Sequence, residues 1–117
     1  MSNRLLRVNE LLQREISAYL RKRYTSEATR LTITGAEVTG DLREAKIYYT
    51  VVGAGAAEVE RTGRWLRSKS VELRGVVAKN VVMRHVPLLT FHPDAAGERA
   101  VRIETLLDEL ERKERKP

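Results

Sequence analysis

Thr34-Gly35-Ala36-Glu37-Val38-Thr39-Gly40-Asp41-Leu42-Arg43-Glu44-Ala45-Lys46-Ile47-Tyr48-Tyr49-Thr50 is the stretch whose reading decides the fold. From Ala45 onward, Ala45, Ile47, Tyr49 and Val51 alternate with Lys46, Tyr48, Thr50 and Val52, the period-two pattern of a strand with one face on a core. Upstream, Leu31-Thr32-Ile33-Thr34 and Glu37-Val38 make a shorter strand pattern, and Gly35 between them marks a bulge. Thr39-Gly40-Asp41 supplies a turn, so the runs pair as a hairpin, with Tyr49 inward and Tyr48 more exposed.

Working outward towards the N-terminus, Leu5, Val8, Leu12, Ile16, Tyr19 and Leu20 recur at three- and four-residue steps and predict an amphipathic helix over Arg4 to Arg23. Arg7, Arg14 and Arg21 stack opposite that apolar face. Glu10 is spaced to pair with Arg7 and Arg14, so the stripe reads equally as a solvated face or as an anion-binding one. On the other side of the hairpin, Gly53-Ala54-Gly55 lacks the spacing of a phosphate-cradling loop and reads as a linker. Ala56 to Met83 follows as an imperfect helix with Gly63 and Gly75 inside it and a break at Ser68-Lys69-Ser70. Propensity alone does not separate helix from strand over Val76 to Met83. Val86 to Phe91 reads as a strand whose proline places it at an edge or a strand start. Asp94 and Gly97 lead into a last helix with Ile103, Leu106, Leu107 and Leu110 on its apolar stripe. The order predicts one α+β domain over residues 1–110, followed by a fraying charged tail over 111–117.

The absence of cysteine excludes disulfide frameworks, thiolate metal sites and cysteine nucleophiles. The start runs straight into the helical pattern, unlike a targeting peptide, and no apolar run approaches the roughly 18 residues of a membrane span, so a cytoplasmic, membrane-free protein is expected. His85 and His92 lack the neighbours a metal site needs, no nucleophile motif is present, and neither a cofactor nor a small-molecule substrate is expected. The net charge of +6 is concentrated: Arg61, Arg64, Arg67, Lys69, Arg74, Lys79 and Arg84 stand against one acid, Glu72, between residues 61 and 84. Such a cluster points to a polyanion-binding surface. Arg64, Arg67, Lys69 and Arg74 rank first as phosphate contacts; Lys79, Arg84 and the Arg4, Arg7, Arg14 stripe rank second. Trp65, Tyr48 and Tyr49 read as packing residues rather than base-stacking platforms.

Three stretches, Thr34 to Thr50, Val86 to Asp94 and Arg102 to Leu107, resemble the bacterial ribosome-binding factor A family. In the first, Asp41-Leu42, then Ala45, then Ile47-Tyr48 match the spacing of that family's hairpin. The resemblance implies a fold similar to the type II KH domain, with helices on one side of a three-stranded sheet, and settles the valine-rich run as helix. It further implies a non-catalytic factor that binds the free small (30S) ribosomal subunit late in assembly, acts on maturation of 16S rRNA at its 5′ end, and matters most in the cold; a monomer is expected. An ordinary KH domain grips nucleic acid at a GxxG loop, which this chain lacks. The family replaces that loop with a kinked helix carrying Ala-x-Gly, and the matching positions here are Lys69-Ser70-Val71. Lacking that glycine, a kink over Ser68, Lys69, Ser70 and Val71 is expected to arise from Ser68 or Ser70 acting as N-cap. Alternatives are a generic KH-like RNA-binding module, a module for an acidic protein partner, and a permanent ribosomal protein. The last usually has a strongly basic tail, whereas residues 94–117 carry seven acids against six bases.

Overall fold

The alternating run becomes the central strand of a three-stranded sheet in the computed structural model, which describes residues 3–94. The elements are α1 (Asn3–Arg23), β1 (Leu31–Val38), β2 (Glu44–Val51), α2 (Ala56–Ser68), α3 (Ser70–Asn80) and β3 (Leu88–Pro93). The expected last helix and the 111–117 tail lie outside the described residues. β1 pairs antiparallel with β2, and the register slips where Ile33 faces Tyr49 but Gly35 faces Tyr48, so Thr34 is the bulged residue. β3 lies parallel to β2 on its other side, with Ala45 beside Leu89 and Ile47 beside Phe91. The chain needs α2 and α3 to make that parallel return.

Side-chain alternation then decides where the core sits. Ile33, Ala36 and Val38 of β1, Ala45, Ile47 and Tyr49 of β2, and Leu89 and Phe91 of β3 share one face. Leu12, Ile16 and Leu20 of α1, Leu66 of α2, and Leu73 and Val77 of α3 cover it and are essentially sealed from solvent. Each such side chain contributes roughly 1.5–3 kcal/mol by burial. The three helices packed on one mixed sheet make an α+β domain.

α1 also guards the free edge of β1. Asn9, 3 % exposed, accepts the Val38 N–H at 2.9 Å, and Gln13 donates to the Ile33 carbonyl at 3.2 Å. One donor and one acceptor of that strand edge are thereby paired within the chain.

Three local details fill out the sequence reading, and one of them, the end of α3, departs from it. In the hairpin turn the left-handed residue is Leu42 (φ 62°); Asp41 Oδ1 takes the Thr39 hydroxyl at 2.7 Å and the Arg43 N–H at 3.1 Å, which locks the turn around it. α3 stops at Asn80, because Val81 turns extended and drops its side chain into the core, leaving Val82 fully exposed; Val81 to Met83 are therefore not helical. Tyr48 is the more exposed of the tyrosine pair, 9 % against 1 % for Tyr49, but it too is buried: it faces away from the helices and its ring tilts against His92 at 5.8 Å. Among the described residues no helix is long and apolar enough to cross a membrane.

Candidate nucleic-acid interface

Helical spacing on α2 buries Gly63 and Leu66 and turns Arg61 and Arg64 to the opposite, solvent side. Arg64 pairs with Glu60 at 3.0 Å, an exposed contact of the kind worth about 0–1 kcal/mol, which a phosphate can displace. Arg67 is exposed too, but lies along the helix: an alanine Cβ at Gly63 would sit 3.3 Å from its Nη1. With Tyr49, Ala56, Val59, Glu60 and Pro93 it lines a shallow, mostly apolar cleft. Lys79 and Arg84 are exposed beyond it.

Arg74 stands apart. Its Nε donates to the Pro87 carbonyl and its Nη2 to that of Val86, both at 3.1 Å, so its guanidinium pins the segment entering β3 onto α3. That use leaves it a holding residue of the fold, only partly open to solvent.

The helix break falls at Lys69 (φ −100°, ψ 4°), whose N–H bonds the Leu66 carbonyl at 2.9 Å in a tightened last turn. Neither serine caps α3, contrary to expectation. Ser68 instead donates its hydroxyl to the Trp65 carbonyl at 2.5 Å, the acceptor stranded when the Lys69 N–H moves to Leu66. What holds α3 at its new angle is tertiary. Glu72, in the first turn of α3, accepts the hydroxyls of Tyr19 and of Tyr24, the latter at 2.7 and 2.8 Å. These hydrogen bonds, Tyr19 first and then Tyr24, hold the Glu72 carboxyl below the usual carboxylate range, with Lys69 and Arg23 adding to the effect. The same bond raises the Tyr19 phenol, which keeps its proton to donate. The helix dipole favours a carboxylate at that position as well.

Tyr24 stacks edge-on against Trp65, and Lys69 places its ammonium over both rings. Arg23, outside the sequence-based ranking, comes to the same place over Tyr24. α1 therefore feeds the break through its C-terminal end. Arg4 lies nineteen residues before Arg23, about 28 Å along the helix, so the Arg4, Arg7, Arg14 stripe is not gathered with Lys69. Those three arginines are exposed, and Arg14 pairs with Glu10 at 2.5 Å. Sequence reasoning also missed Tyr19, Tyr24 and Glu72. The available signal was Glu72 itself, the lone acid among seven bases. Among the described residues no cluster of three or more metal-ligating side chains occurs.

An α-β-β-α-α-β order, a mixed sheet with helices on one face, and a kinked basic helix where a GxxG loop would stand define a type II KH-like domain. Over residues 4–107 the sequence matches the profile of ribosome-binding factor A, and the chain belongs to that family. A relative of that name from Opitutus terrae is 47 % identical over 96 % of this chain and 91 % of its own length. One from Akkermansia muciniphila is 36 % identical over 96 % and 88 %. The crystal structure of ribosome-binding factor A from Thermus thermophilus superposes with a TM-score of 0.67 at 20 % identity, covering 76 % of this chain and 94 % of that one. A homology model of the Thermus thermophilus protein fitted into a cryo-EM map of its 30S complex has a TM-score of 0.55 at 22 % identity, over 70 % of this chain and 86 % of that one.

Proposed function

We propose that this protein docks as a monomer on the free small ribosomal subunit late in assembly, in the cytoplasm, and assists maturation of 16S rRNA at its 5′ end without catalysis. The observation that carries the reading is the set of exposed cations, Arg61, Arg64 and Arg67 on α2, Lys79 in the last turn of α3 and Arg84 just after it, on a domain of this family. The 30S complex of the Thermus thermophilus relative supports the choice of partner. Phosphate contacts supply affinity and register, and guanidinium groups add geometric preference. With no base-edge readers evident in the set, selectivity comes from RNA shape.

The test is co-sedimentation with isolated small subunits, large subunits and whole ribosomes over a salt series. Binding confined to free small subunits, weakening steeply with salt, is expected. Arg64→Gln with Lys79→Gln should weaken it at least tenfold while lowering stability by no more than about 1 kcal/mol, since both side chains are exposed and only the surface pair with Glu60 is lost. Equal binding to every particle reduces the protein to a general basic RNA binder. Nuclease-resistant complexes in extract would move the reading to an acidic protein partner.

A further inference from the structure

Trp65 is the sole tryptophan of the chain and lies half-buried one helical turn before the break. Its ring meets Tyr24 edge to face, centroids 5.2 Å apart and planes at 88°, and Tyr24 meets Tyr19 in the same way at 6.4 Å. Glu72 holds both phenols by their hydroxyls, so the tyrosine rings are set before any ligand arrives. Two cations cap this shelf. The Lys69 ammonium is 4.9 Å from the Tyr24 centroid and 6.0 Å from that of Trp65, and the Arg23 guanidinium is 5.1 Å from Tyr24. Arg23 is exposed and Lys69 half-buried, and cation–π contacts still open to solvent are weak and readily exchanged. Lys69 sits on the helix break, and among the described residues its ammonium makes no hydrogen bond that a swing would break.

We propose that this shelf is a stacking site for one unpaired nucleotide of RNA. The base takes the place of the Lys69 ammonium against Trp65, and Lys69 and Arg23 turn outward to the flanking phosphates. A base offers the aromatic ring a broad face in exchange for a point charge, and both cations keep an anionic partner. The proposal rests on the reading that the partner is RNA, and adds to it a means of holding a single-stranded segment beside helical RNA. An acidic protein segment would satisfy the cations but has no flat face to fill the shelf.

The single tryptophan makes the test direct. Trp65 fluorescence is titrated with a short oligoadenylate, an abasic phosphodiester of equal length, and polyglutamate, with co-sedimentation on small subunits run in parallel. Saturable quenching by oligoadenylate, at a salt concentration where the abasic strand has no effect, is expected. The affinity for labelled oligoadenylate should fall about tenfold in Trp65→Leu and stay within about twofold in Trp65→Phe. Equal quenching by the abasic strand or by polyglutamate overturns the proposal, because it means charge without stacking. Unchanged affinity of a folded Trp65→Leu protein does so too, and if that variant melts, the titration of the unaltered protein still decides. Retained subunit binding without oligoadenylate quenching removes the stacking site and leaves the proposed function intact; loss of both removes both.

Discussion

Alanine at Gly63 and alanine at Gly75 are the same substitution in neighbouring helices, and the packing assigns them opposite signs. In an exposed helix interior, glycine to alanine gains about 1 kcal/mol. At Gly75 a Cβ meets nothing within 4 Å, so that gain is expected in full. At Gly63 a Cβ would stand 2.5 Å from the Tyr49 hydroxyl, a distance real contacts do not show. The Tyr49 ring is 1 % exposed and its hydroxyl donates to the Val59 carbonyl at 3.1 Å, so it has little room to retreat. Overpacking costs about 1–3 kcal/mol, and breaking a buried hydrogen bond a further 1–3 kcal/mol or so. Against the propensity gain the net loss is about 1–5 kcal/mol, centred on about 3 kcal/mol, roughly a 10 °C fall in melting temperature for a domain of this size. Urea denaturation of Gly63→Ala, Gly75→Ala and Gly63→Ala with Tyr49→Phe measures all of this. Removing the phenol oxygen should restore at least half of the loss in the double variant. A Gly63→Ala protein as stable as the parent, or a double variant no better than the single, would refute the close approach of α2 to β2.

Arg74→Leu should cost about 1–3 kcal/mol in urea denaturation through its two lost carbonyl bonds, so its effect on subunit binding should track stability rather than charge. Because the Glu72 carboxyl is depressed in the folded protein, its contribution is complete above the unfolded carboxylate range, near pH 4.3, and is lost as pH falls through the lower folded value. Trp65 emission should therefore change on acidification below the ordinary carboxylate range, and Glu72→Gln should abolish that transition. Leu42→Gly relieves a left-handed leucine that is 43 % exposed, and denaturation should show a gain of about 0.5 kcal/mol after the entropic cost of glycine.

Much of the architecture was legible in one dimension because it depends on period. The alternation from Ala45 to Val51 and the three- and four-residue steps from Leu5 to Leu20 report which face of each element is buried, whatever lies against it. The bulge was marked by Gly35 and the helix break by Ser68-Lys69-Ser70, both local chemistry. The segment from Arg61 to Arg84 was likewise visible as a charge concentration, since counting charge needs no coordinates.

What each charge does was decided by the tertiary structure. Arg64 and Arg74 are indistinguishable as letters, yet one faces water and the other grips the Val86 and Pro87 carbonyls, because β3 returns alongside α3. Val81 left the helix because the core had a place for it, which propensity cannot foresee. The break needed no serine cap, because Tyr19 and Tyr24 reach across roughly fifty positions of sequence to Glu72. Periodicity is a property of one element and survives in the sequence; a hydrogen bond between distant elements exists only once the sheet has brought them together.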